Sequence, residues 1–227
     1  MHLPRLAAVL AIPALAGLAS SGCNRAEDTT ACEPLMAAMA EGTTLADETD
    51  ATVRAAVQAA IDGGVKGGQD DCDVDQIWLR GTEVITPDEL ATYSPGSVRT
   101  LRGHVEYGDI VVNACSAHPP ENIAQSQADI EAQMEVVQTT HDLVLVESER
   151  VDPVLNGDGT FEAGRLVVDA YVYRYSDGAI VCHGVVESTN RDVVSTSSQR
   201  RNIDSLQSNL EEMVVLGVDD ALRAIED

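Results

Sequence analysis

Apolar residues recur along this chain with different periods, and each period predicts a different element. Over residues 33–62 the spacing is helical: Val53, Val57 and Ile61 fall at i, i+4 and i+8, with Ala56 and Ala60 alongside. Asp50 is placed to cap the second half of this region and Gly63-Gly64 to end it, while Gly42-Thr43-Thr44 divides it into two helices. Residues 76–85 read as a short strand or hairpin around Ile77, Trp78 and Leu79. Thr86-Pro87-Asp88-Glu89 carries a capping box with proline in the first turn, so a brief helix starts there and stops before Ser94-Pro95-Gly96. Residues 97–106 and 109–116 are predicted as a hairpin turning at Tyr107-Gly108-Asp109.

Pro119-Pro120 then opens a helix over 121–138, with Ile123, Ile130, Met134 and Val137 on one face. A strand follows over 142–151, carrying the continuous apolar run Leu143 to Val146, and Asn156 to Gly159 is a turn. Residues 165–175 and 179–188 make the clearest hairpin, turning at Ser176-Asp177-Gly178. Leu166, Val168, Ala170 and Val172 share one face of its first strand; Val167, Asp169, Tyr171, Tyr173 and Tyr175 share the other. Residues 198–225 form a long amphipathic helix whose buried stripe runs through Ile203, Leu206, Leu210, Val214 and Gly217.

These elements predict a single α+β domain over residues 32–227. An antiparallel β-sheet of hairpins packs against the long C-terminal helix and the 121–138 helix, with residues 32–93 as a helical N-terminal subdomain and 97–227 as sheet plus helices. Residues 97–138 and 165–216 both read as hairpin then helix, which is either an internal duplication or shared turn chemistry.

The first residues follow another logic. Arg5 gives a basic start, Leu6 to Ala19 is apolar and uncharged, and Ser20, Ser21 and Gly22 lead to Cys23. Residues 1–22 therefore read as a secretory signal peptide. The apolar run falls short of the roughly 20 residues that span a bilayer, and Pro13 and Gly17 interrupt it. The segment resembles a bacterial lipoprotein precursor. In that class a branched apolar residue, two small residues and a cysteine end the signal; Ser21, Gly22 and Cys23 fit, and Ser20 departs from the pattern. The resemblance implies that the Cys23 thiol takes up acyl chains such as palmitate and becomes the new N-terminus, with residues 23–31 as lipidated cysteine and tether. Asn24, not aspartate, follows the cysteine, which within that class points to the outer membrane. The alternative is ordinary cleavage after Ala19-Ser20-Ser21, giving a soluble periplasmic or secreted protein.

Cysteine parity favours the anchor. With Cys23 acylated, Cys32, Cys72, Cys115 and Cys182 remain, an even set for an oxidising compartment. Cys32–Cys72 and Cys115–Cys182 are the expected disulfides, because Cys32 and Cys72 flank the first helical region and Cys115 and Cys182 both fall on predicted strands. No pair has C-x-x-C spacing, so the sequence supports neither a thioredoxin-like site nor a zinc ribbon.

Charge narrows the partners. Asp plus Glu number 38 against 14 Lys plus Arg, a formal net charge of −24. Removing residues 1–22 takes away Arg5 and no acid, so the mature chain is more acidic still. Such a surface repels nucleic acid, which is excluded as a partner. Asp70, Asp71, Asp73 and Asp75 cluster in a loop and offer oxygen ligands to Ca²⁺, although Asp-rich loops are ordinarily just solvated. No other cofactor is implied. Asn156 to Thr160 hints at an EF-hand loop, but Val154 and Arg165 stand where its first Asp and its Glu belong. Neither G-x-S-x-G, S-x-x-K, a P-loop nor H-E-x-x-H occurs.

The sequence thus predicts a non-catalytic, lipid-anchored envelope protein that binds another envelope protein, with Tyr171, Tyr173 and Tyr175 as the candidate contact surface. The same tyrosines have a plainer reading, as a sheet face covered by the C-terminal helix. A ligand-binding module with a pocket between sheet and helix is the second reading, and a carboxylate- or metal-assisted hydrolase the third.

Overall fold

The computed structural model describes residues 30–63, 77–78, 82–115, 119–156, 160–190 and 203–223. A 3₁₀ turn, Thr30–Cys32, leads into α1, Glu33–Gly63. Short strands β1, Ile77–Trp78, and β2, Val84–Ile85, precede a 3₁₀ helix, Glu89–Thr92. Then come α2, Gly96–Asn113, α3, Pro120–Thr139, and β3, His141–Val151. A small hairpin of β4, Val154–Leu155, and β5, Phe161–Glu162, is followed by β6, Arg165–Arg174, β7, Ala179–Thr189, and α4, Ile203–Arg223.

The fold is α+β, as predicted. The main sheet runs β1-β3-β6-β7, with β2 also on β3. β3, β6 and β7 are antiparallel neighbours, whereas β1 and β2 pair parallel to successive parts of β3, so the sheet is mixed. The turn after β6 needs glycine at Gly178, where φ is +71°.

Both faces of the sheet are covered. Leu143, Leu145, Leu166, Val168, Ala170 and Val172 pack against Leu210, Val214 and Val218 of α4. The opposite face, with Val144, Val146, Tyr171 and Tyr173, packs against Val53 and Val57 of α1 and against Ile85, Leu90 and Tyr93. A third apolar cluster lies among α1, α2 and α3, built from Leu35, Ala38, Leu101, Val111, Ile130 and Val137 among others. Two buried faces explain why β3 carries an unbroken apolar run instead of alternation. They also correct the expected layering: α4 covers one face and α1 the other, while α3 packs with α1 and α2.

Three local expectations change. Residues 97–116 do not form a hairpin; α2 runs through them as one helix. Val98, Leu101, Val105, Gly108 and Val112 recur at helical spacing toward α1 and α3, and Gly108 permits close approach, since a Cβ there would meet Met39 Sδ at 3.1 Å. The duplication of two hairpin-plus-helix halves falls with that hairpin. Nor does Gly42 split α1: it sits where a Cβ would lie 3.2 Å from both Ile130 and Val105, while Thr43 and Thr44 donate to the carbonyls of Met39 and Ala40 within the helix.

The third correction concerns the disulfides. Cys32 is bonded to Cys115, with Cα atoms 6.2 Å apart, so neither expected pairing is formed. With α2 a helix, Cys115 falls at its C-terminal end, beside the start of α1, and not on a strand facing Cys182. Cys182 is also disulfide-bonded.

Candidate functional site

The end of β6 delivers Tyr173 and Tyr175 to a cleft of about 580 Å³ between α1, the C-terminal end of α3 and the β6–β7 turn. α1 contributes Glu48, Thr49 and Thr52, α3 contributes Val137 and Gln138, and the turn contributes Asp177 and Gly178. The turn is held by Gly178 N–H donating to the Arg174 carbonyl at 3.0 Å and by the Arg174 guanidinium, which grips both oxygens of Asp177. That pairing lowers the Asp177 carboxyl below its ordinary range. The rings of Tyr173 and Tyr175 meet edge to face, with centroids 5.2 Å apart.

Behind the cleft lies a buried polar network. Asp142, 1 % exposed, accepts from Ser97 Oγ at 2.6 Å and from the Tyr175 hydroxyl. Ser97 Oγ and the Tyr175 hydroxyl are 2.8 Å apart, and Gln133 donates to the Ser97 carbonyl at 3.2 Å. The network joins the first turn of α2, the middle of α3, the start of β3 and the end of β6. Burial pushes the Asp142 carboxyl above the usual carboxylate range, although the hydrogen bonds from Ser97 and Tyr175 pull the other way. Burial, with Asp142 beside it, raises the Tyr175 phenol, which therefore stays protonated and donates. Tyr93 is raised chiefly by burial, and its buried hydroxyl has no hydrogen-bond partner among the described residues.

A second charged cluster ties α1 to α2. Asp50 lies buried and accepts from Arg102 at 2.8 Å and from Ser94 at 2.8 Å, with Arg54 at 3.3 Å. On the sheet, His183 stacks on Tyr171 and its Nε2 is 2.8 Å from Asp169.

The residues picked out from sequence are distributed unevenly. Tyr171 and Tyr173 are 4 % and 2 % exposed, so the tyrosines do not form an open contact patch, and their cover is α1, not the C-terminal helix. Tyr173 and Tyr175 do reach the cleft; Tyr171 is not among its walls. Cys23, Cys72, Asp70, Asp71, Asp73 and Asp75 lie outside the described residues. Among the described residues no group of three or more His, Cys, Asp or Glu is placed to hold a metal ion. The Asn156–Thr160 segment joins β4 to β5, with Asn156 N–H donating to the Thr160 carbonyl at 2.9 Å. Sequence reasoning missed Asp142, Ser97 and Glu48; the one available signal was a carboxylate heading an otherwise apolar strand.

No known protein family, curated protein or solved structure matches the chain.

Proposed function

We propose that this protein is an exported, lipid-anchored component of the bacterial cell envelope that has no catalytic role and works by binding another envelope protein. The Cys32–Cys115 disulfide carries the reading, because such bonds persist in oxidising compartments. Among the described residues no helix is long and apolar enough to cross a membrane, so attachment falls to Cys23. The disulfide ties the fold down at Cys32, and the eight residues 24–31 reach at most about 28 Å, which keeps the globule near the membrane surface. The lipoprotein-like ending with Asn24 favours the outer membrane.

Metabolic labelling with an alkyne palmitate analogue tests the anchor. The wild-type chain is expected to take label and sediment with membranes, and Cys23→Ser to do neither. Membrane retention of Cys23→Ser, or an unlabelled wild type, overturns the anchor. Crosslinking in intact cells of the native host tests the binding role, which requires one reproducible envelope partner; recovery of none overturns it.

The cleft favours a second reading, a lipid-anchored ligand-binding module, since its polar groups converge between helix and sheet.

A further inference from the structure

We propose that the cleft between α1, α3 and the β6–β7 turn receives a basic side chain, the ammonium of a lysine or the guanidinium of an arginine, presented by the partner protein. The inference rests on the partner-binding reading above.

The first observation is a hydroxyl at the rim of the cleft. Tyr173 is 2 % exposed, lines the cleft, and reaches Gly178 on its rim, where a Cβ would lie 3.3 Å from the Tyr173 oxygen. Among the described residues that hydroxyl has no hydrogen-bond partner. The hydroxyl at the tip of this buried side chain reaches the rim of the cleft and is free to accept a hydrogen bond from a group that enters it.

The second observation is charge. Glu48 lines the same cleft and engages no cation among the described residues, while Asp177 is fully occupied by Arg174. The cleft therefore presents one uncompensated carboxylate. Beside it stands the half-buried Tyr175 ring, and aromatic rings attract organic cations. A carboxylate, a phenolic acceptor and aromatic surface together suit a cationic N–H donor on an aliphatic stem and disfavour an anion.

The third observation bears on the source. The cleft is an open trough, not an enclosed chamber, so a side chain standing on another protein's surface can enter it. A chain of net charge −24 also draws basic surfaces toward itself.

Calorimetric titration of the purified mature protein with acetylated, amidated Gly-Arg-Gly, Gly-Lys-Gly and Gly-Glu-Gly, and with n-butylammonium, tests the proposal. The two basic peptides should bind and the acidic one should not. Glu48→Gln and Tyr173→Phe should each weaken basic-peptide binding about tenfold, the usual loss for a hydrogen bond to a charged group. Glu106→Gln, the same charge change on the exposed face of α2, should leave binding unchanged. Because the Tyr173 hydroxyl has no partner among the described residues, Tyr173→Phe should also keep the wild-type melting temperature, so that lost binding is not lost folding.

Wild-type binding by both cleft variants overturns the proposal, as does an equal loss in Glu106→Gln, which would mean diffuse surface charge. Butylammonium binding as tightly as the peptides would assign the cleft to a free amine instead of a partner. Peptide binding by an unacylated protein would sink the anchor and leave the cleft standing; an acylated protein blind to basic peptides would do the reverse.

Discussion

The Tyr175 hydroxyl donates to the Asp142 carboxylate across the seam between sheet and helices, and Ser97 closes the triangle. This contact fixes how the end of β6 lies against the first turn of α2. Removing one member strands the others in an apolar setting. Asp142→Ala is therefore expected to destabilise the fold by about 2–3 kcal/mol, and Tyr175→Phe by about 1–2 kcal/mol, in urea unfolding at neutral pH. An Asp142→Ala midpoint equal to wild type would show that the triangle stabilises nothing.

The same carboxyl sets a pH dependence. Its pKa is raised in the folded protein, so folding favours the protonated form. Its contribution to stability is complete below the unfolded value of about 3.9 and is lost as pH rises through the folded value. Relative to Asp142→Asn, which cannot titrate, the wild type should gain stability as pH falls from 7 toward 4. Unfolding midpoints for both proteins at several pH values check this; a constant difference would contradict the raised pKa.

The Cys32–Cys115 bond closes a loop with a sequence separation of 83 residues. A Cys32→Ser/Cys115→Ser double variant should lose about 4 kcal/mol, read from denaturant midpoints. Non-reducing peptide mapping should recover the Cys32–Cys115 peptide. With Cys23 acylated, parity leaves Cys72 as the partner of Cys182, and a Cys23–Cys182 peptide would refute that anchor.

Gly164 faces backbone at close range. A Cβ there would lie 2.7 Å from the Val151 carbonyl oxygen and 2.8 Å from Pro153 N, and main chain cannot swing aside as a side chain can. Gly164→Ala should cost about 1–3 kcal/mol by thermal unfolding.

Buried Asn190 ties that segment to α4. Its side-chain oxygen accepts from Gly164 N–H at 2.8 Å and its amide donates to the Leu206 carbonyl at 2.7 Å. Asn190→Asp keeps the shape but sets a carboxylate against a carbonyl. A loss of about 2–3 kcal/mol is expected at neutral pH, easing as the acid protonates.

Period and turn chemistry made β6, β7 and α4 legible: period-two residues flanked Ser176-Asp177-Gly178, and Leu206, Leu210 and Val214 traced one helix stripe. The Thr86–Glu89 capping box was legible too, and both Thr86 N–H and Oγ1 donate to Glu89. α2 was not, because Tyr107 and Ile110 stand 57 % and 62 % exposed and put apolar residues on its solvent side, which blurs the helical stripe into alternation. The tyrosine face shows a different limit. Amphipathy says that a face is buried but not by what, and α1, more than a hundred residues away in sequence, is the cover. The cleft had no sequence signature, since Glu48, Gln138 and Tyr173 come from three separate elements.

The bridge between Cys32 and Cys115 also has a mechanical meaning. Tension applied to the chain ahead of Cys32 enters the globule at a covalent crosslink and is shared at once between two antiparallel rods, instead of peeling α1 from its first turn. Only after reduction can such a tug unzip the helix residue by residue.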